Sequence, residues 1–432
     1  MRTKLAVCLS LSLSSIVASP AFSADTLNVW ARYGNNERGT IEAIVQEFTN
    51  QTGVKVELFL ANSDFETRLA RSAASRKLPD VVLTDATSMG QMNEMGILEE
   101  IDKDSVKGGK ALYDVAWKGM RAYDGKHYGV PFSAQAFAVF VRKDWREKLG
   151  FDKPKTWDDL YKLAKAFTEM DPNSSGKADT YGYVMPLSST RGYASWFMSD
   201  LIWQAGGTFL SSNENGFKAS LATPEVESAM LFAQKMVCEG YAQPAAITST
   251  TGDATPVFNS GQAGIYRSGP YHLSSFYNEP GKDKIEVIIP PTGKMSSASL
   301  AEGTAAFILA GNEGTRESSD KFLEFLISEQ GQRMGMGVGV EGDSLPVVRL
   351  SVNKNINTEK IYNDSNWNTF SQQYAEGGVY FPAVPNWKPI RQITSDGFNR
   401  ILSSCSTDIT DSLKDIDTAV NSELSRQGVL AK

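Results

Sequence analysis

Between Leu27 and Leu83 the spacing of apolar residues changes step four times, and this alternation constrains the fold class more than any other feature of the chain. Leu27 to Ala31 reads as a short strand. Ile41, Ile44, Val45 and Phe48 fall on one face of a helix that Thr40 can cap and Gly53 can end. Val54, Val56 and Leu58 then alternate as a strand, and Phe65, Leu69 and Ala73 mark a second helix. Val81-Val82-Leu83 is a continuous apolar run, as a parallel strand buried on both faces requires. A β-α-β-α-β start of this kind predicts an α/β protein with open, mainly parallel sheets and helices on both faces. Ligands of such sheets sit at the carboxyl ends of the strands, so Arg32, Tyr33 and Asn35 after the first strand, and Asp85 and Thr87 after the third, are candidate binding residues.

The first 23 residues read as an export signal. Arg2 and Lys4 precede an apolar stretch from Leu5 to Ala18, and Ala21-Phe22-Ser23 supplies a small-x-small cleavage pattern, which places the protein in the periplasm. The stretch is shorter than the roughly 20 residues of a spanning helix. Cleavage after Ser23 removes two cations and no acid, taking the formal charge from -7 to -9 and arguing against nucleic acid or an anionic membrane as partner. The remaining 409 residues exceed one ordinary core and predict two lobes. Cys238 and Cys405 are the cysteines left after cleavage, and an even pair in an oxidising compartment reads as a disulfide.

Farther along, Thr156-Trp157-Asp158-Asp159 is a capping box leading a helix with Leu160, Leu163, Ala164 and Phe167 inward. Thr223-Pro224 starts another helix, and Ile409, Leu413, Ile416, Val420 and Leu424 form the stripe of a last one. Motifs for covalent or cofactor chemistry fail. Gly337, Gly339 and Gly342 have dinucleotide-loop spacing but lead into Leu345-Pro346 in place of a helix. Asp171, Asn173, Ser175, Gly176 and Asp179 imitate part of a calcium loop whose twelfth position is Gly182 where a Glu is needed. His127 and His272 lack a metal-binding spacing. No cofactor, metal or catalytic residue is expected.

A series of ordered segments carries a resemblance. They include Phe48 to Val54, Leu78-Pro79-Asp80-Val81-Val82, Gly96-Ile97-Leu98-Glu99 and Tyr123 to Pro131. Pro154 to Leu160, Gly206-Gly207, Phe258 to Gly264 and Ser268-Gly269-Pro270-Tyr271 follow in order. The chain resembles the extracellular solute-binding proteins of ATP-binding-cassette importers, in the sugar-binding group that includes maltose-binding protein. The resemblance implies a two-lobed periplasmic binding protein fold of type II, with a first lobe of 24–131 plus 304–345 and a second of 135–300 plus 350–432. Crossovers would fall near 131–135, 301–304 and 345–350. It also implies a monomer that captures an oligosaccharide or glycoside in the cleft and delivers it to a membrane permease. Carried over residue by residue, Tyr271 stands where the family places a stacking aromatic behind Gly-Pro, Trp387 matches a C-terminal stacking tryptophan and Trp196 resembles a third. Gln135 and Glu302 lie beside the implied crossovers, within reach of ligand. Alternative readings are a secreted carbohydrate-active enzyme and a binding protein for a glycerol phosphodiester or an acidic sugar, the last suggested by Arg32, Arg191 and Arg267.

Overall fold

The alternation at the start of the chain is realised as three parallel strands, β1 (Thr26–Arg32), β2 (Lys55–Ala61) and β3 (Val81–Asp85), in a computed structural model that describes residues 26–311 and 313–432. The export signal expected at 1–23 lies outside the described residues. β3 is buried from Val81 to Thr84, as its continuous apolar run requires, whereas β2 at the sheet edge is half-exposed and alternates. The helix Arg38–Thr52 buries Ile41, Ile44 and Phe48. Its cap is Glu37, and Thr40 is not the cap: a short 3-10 turn, Asn35–Glu37, enters the helix first. Thr40 is instead buried one turn in, where its hydroxyl donates to the carbonyl of Leu345 at 2.8 Å.

Beyond β3 the chain adds β4 (Val130–Ala136), β5 (Ala138–Arg142) and β6 (Tyr181–Val184), then a hairpin of β7 (Leu210–Asn213) and β8 (Gly216–Ala219). It continues through β9 (Ala263–Ser268), β10 (Ile285–Ile288), β11 (Ser299–Ile308), β12 (Leu350–Ser351) and β13 (Gly378–Val379). One sheet has the order β12-β4-β11-β3-β1-β2, with β13 paired to β11, and a second has the order β10-β5-β9-β6. The parallel expectation holds for β1 to β3. Among the strands that follow, β6 with β9 and β11 with β13 are also parallel, whereas β11 runs antiparallel to β3 and to β4, and β5 antiparallel to β9 and β10.

The chain passes from the first sheet to the second at Phe137, between β4 and β5. β4 and β11 lie side by side from Ala136 opposite Ala301 to Val130 opposite Ala306, and the register slips between Thr304 and Ala305. The partner positions there jump from Ser133 to Pro131, leaving Phe132 as the extra residue of a bulge beside a proline with no N–H to donate. Gly303 is needed at this crossing because a Cβ there would come within 1.9 Å of the Ser133 carbonyl oxygen.

The remaining helices follow the sequence signals. Thr156 Oγ1 accepts from the Asp159 N–H and the Asp159 carboxylate accepts from the Thr156 N–H, closing the capping box of Trp157–Glu169. Thr223 caps Pro224–Cys238 with proline at the first helical position, and Ile409–Arg426 buries its five-residue stripe. A disulfide joins Cys238, at the end of its helix, to Cys405, with Cα atoms 5.8 Å apart. Trp157 is partly buried against the core, stacked on Phe232 with ring centroids 4.7 Å apart.

Candidate functional site

β1 and β3 end side by side, and their last residues meet: Arg32 Nη1 donates to Asp85 Oδ2 at 2.6 Å, while Arg32 Nε lies 3.3 Å from Glu66. These residues form one wall of a cavity of about 630 Å³. Thr87 and Tyr33 complete that wall, and Ser133, Gln135, Glu302 and Thr304 of the paired strands β4 and β11 form its floor. The bulge in this pair sits directly behind Ser133 and Thr304. The opposite wall carries Arg191 from the 3-10 turn Thr190–Gly192, Tyr193 and Trp196 from the start of the helix Tyr193–Ala205, and Lys388 and Arg391 from the helix Trp387–Leu402.

The floor is a connected polar network. Glu302 accepts from Gln135 Nε2 at 2.9 Å through one oxygen and from Trp196 Nε1 at 3.0 Å through the other. Gln135 in turn accepts from Arg349 Nη1 at 2.6 Å. Trp196 is thereby held by its polar edge, with its ring resting against Phe137 and Tyr193. Burial dominates the electrostatics of the site. It pushes the Glu302 carboxyl up to about 7, helped by the charge of Asp85 and opposed by the Gln135 hydrogen bond. Asp85 is also raised by burial, against the pull of Arg32. The Tyr33 hydroxyl, buried beside Thr304, has no hydrogen-bond partner of good geometry among the described residues, and burial raises it well above the usual phenol range. An orphaned hydroxyl in a polar cavity is a group that a ligand can satisfy.

Seven of the ten ligand residues expected from the sequence line this cavity: Arg32, Tyr33, Asp85, Thr87, Gln135, Trp196 and Glu302. Three do not. Asn35 is exposed on the 3-10 turn beside it. Tyr271 lies just behind the cavity, its ring 5.4 Å from the Arg349 guanidinium and its hydroxyl taken by Ser268 at 3.3 Å. Trp387 is 6% exposed and is stacked on Phe381 at 4.8 Å, with Phe209 at 5.6 Å. It opens a helix packed on that aromatic cluster and also borders a smaller pocket, lined by Thr87, Tyr380 and Phe381, that adjoins the cavity at Thr87. Of the three arginines read as an acidic-sugar signal, Arg32 is neutralised by two carboxylates and Arg267 is buried against Asp200 at 3.1 Å. Arg191 remains on the cavity.

Sequence reasoning missed Arg349, Lys388, Arg391, Tyr193, Glu37 and Glu66, all on the cavity lining. Lys388 and Arg391 stand three apart at the start of an amphipathic helix, a spacing that places both on one face and was available to be read. Arg349 follows the crossover at Leu345-Pro346 by three residues, and Glu66 carries no local signal.

Residues 34–333 match the family of bacterial extracellular solute-binding proteins. A polygalacturonan/rhamnogalacturonan-binding protein of Bacillus subtilis is 28% identical over 237 residues, 51% of this chain, which spans only 45% of that protein. A fructooligosaccharide importer substrate-binding protein of Streptococcus pneumoniae is 32% identical over 156 residues, 32% of this chain and 29% of that protein. Among solved structures, a cyclic α-maltosyl-1,6-maltose binding protein from Arthrobacter globiformis superposes with a TM-score of 0.76 at 21% identity, covering 93% of this chain and 99% of that one. The shared architecture is the two-lobed type II fold.

Proposed function

Since the chain belongs to the bacterial extracellular solute-binding protein family, we propose that it is an exported receptor that captures a saccharide in its cavity and presents it to the permease of an ATP-binding-cassette importer. The observation that carries this reading is the cavity itself: about 630 Å³, mostly polar in lining, with Trp196 on it and Tyr33, whose buried hydroxyl has no partner among the described residues, beside it. A pyranose offers hydroxyls to such planar polar partners and a C–H face to such a ring. The relatives named above for binding polygalacturonan and fructooligosaccharide, and the cyclic maltosyl-maltose binding protein, add support.

The residues we assign to ligand are Arg32, Tyr33, Asp85, Thr87, Gln135, Trp196 and Glu302. The lobes are taken as 24–131 plus 304–345 and 135–300 plus 350–432, with β4 and β11 as the paired strands over which they hinge. Ligand acts by favouring the closed arrangement of the lobes, so no covalent step is required and the protein works as a binding protein and not as an enzyme. It acts as a monomer in the periplasm. A thermal-shift screen over mono- and oligosaccharides tests the reading, because a ligand at 100 times its dissociation constant stabilises by about 2.7 kcal/mol. A screen in which no saccharide raises the melting temperature, or in which a bound glycan is cleaved, rejects it.

A further inference from the structure

The charges on the cavity are not evenly matched. Its acids are engaged: Asp85 and Glu66 with Arg32, Glu37 with the N–H of Gly34 at 3.1 Å, and Glu302 with Gln135 and Trp196. Its other cations lack a carboxylate partner, although Arg349 donates to Gln135 and lies over the Tyr271 ring. Among the described residues, Arg191, Arg349, Lys388 and Arg391 form no ion pair with a carboxylate, although all four line the cavity. Arg391 is half-buried, and burial lowers it from the usual arginine value, so its charge is held at a cost that nothing nearby offsets in full.

The local structure brings Arg391 and Arg191 together. Arg191 adopts a left-handed backbone, φ 56°, where a residue with a side chain is strained. Gly192 follows, also left-handed at φ 84°, and a Cβ there would lie 2.7 Å from the Cγ and Nε of Arg391. The arginine stem therefore runs across the bare face of Gly192. Gln392 Nε2 donates to the Ser189 carbonyl at 2.9 Å and Thr394 Oγ1 donates to Ser195 Oγ at 2.8 Å, fastening the Ser189–Ser195 segment to the helix that carries Arg391. A strained turn, a glycine cleared for a guanidinium and two clamping hydrogen bonds hold two like charges on one wall. Arg191 and Arg391 repel one another, while Glu302 and Asp85 attract Arg391 without forming an ion pair with it.

We infer that the cavity takes an anionic saccharide, a sugar bearing a carboxylate or a phosphate ester, with its acid group seated between Arg191 and Arg391. The inference rests on the saccharide reading above and names its charge class. Guanidinium matches both oxyacids bidentately, and Lys388 on the same helix face adds attraction as the ligand enters. The neutral end of the ligand then lies toward Trp196, Gln135 and Glu302.

The test is calorimetry on the full exported chain with hexuronic acids, hexose 6-phosphates and the matched neutral hexoses, as monomers and as short oligomers. At low ionic strength the preferred acid binds at least tenfold tighter than its neutral counterpart, and added salt narrows the ratio. The hexuronate and hexose phosphate arms tell which acid is read. Arg391→Gln and, separately, the exposed Arg191→Gln each shrink the acid-to-neutral ratio about tenfold, and melting of the unliganded variants verifies that they fold. Arg191→Gln serves alone if Arg391→Gln does not fold. Neutral sugars bound as tightly as acids, or a ratio untouched by either variant, overturn the charge assignment while leaving saccharide capture standing. Failure of every saccharide, acidic or neutral, overturns both.

Discussion

Glu302 joins two side chains across the floor of the cavity, and its replacement by Gln tests whether burial governs that site. Its carboxyl is pushed up to about 7 from an ordinary 4.5. The folded protein thus holds this proton more tightly than the unfolded chain does. The contribution to stability is fully present below about pH 4.5 and is lost as pH rises through about 7. Integrated from pH 5 to pH 8, the loss is about 2–3 kcal/mol. In Glu302→Gln that loss disappears, while a separate penalty appears. The two donors meet different oxygens of Glu302, so the amide sets its NH2 against either Trp196 Nε1 or Gln135 Nε2, and that donor goes unsatisfied at about 1–3 kcal/mol. Urea unfolding of parent and variant at pH 5 and pH 8, followed by circular dichroism, separates the two, because every other titrating group is common to both proteins. The variant is the less stable at pH 5, and the difference moves by about 2–3 kcal/mol in its favour at pH 8. A difference that stays the same at both pH values refutes the account of a desolvated carboxyl.

The two tryptophans read from the sequence as stacking residues should behave differently. Trp387→Ala empties a stacked core position against Phe381 and Phe209 and should lower stability by about 3–5 kcal/mol, read by chemical denaturation, whereas Trp196→Ala should weaken saccharide binding roughly thirtyfold by calorimetry. Replacing Cys238 and Cys405 by Ala opens a loop of 167 residues and should cost about 5 kcal/mol in the chain-entropy account, again by denaturation; a loss under 1 kcal/mol would mean that the reduced chain holds these ends together by other contacts.

Local signals were legible wherever one short stretch carried its own physics. The capping box at Thr156, the Thr223-Pro224 helix start and the apolar stripe of Ile409–Arg426 each state their structure within a few residues. Arg32 and Asp85 could be placed at the cavity because strand ends in a parallel sheet share one edge. Arg391 and Arg349 could not be placed there, since their presence depends on pairings between segments far apart in sequence: Gln392 with Ser189, and β12 with β4. The antiparallel run of β11 between β3 and β4 was hidden for the same reason. Trp387 has packing partners that its position in the sequence does not reveal. The ring falls in the expected segment, but the helix it opens is seated on Phe381 and Phe209, and that contact is invisible until the fold brings them together.

The most direct test of saccharide capture in this cavity is diffraction from crystals grown with the saccharide that gives the largest thermal shift. The account predicts sugar density between the Arg32–Asp85 pair and the Arg191–Arg391 wall, with hydroxyls within hydrogen-bond distance of Asp85 and Gln135 and a ring face on Trp196. Sugar found elsewhere on the protein, with this cavity holding only water, would contradict it.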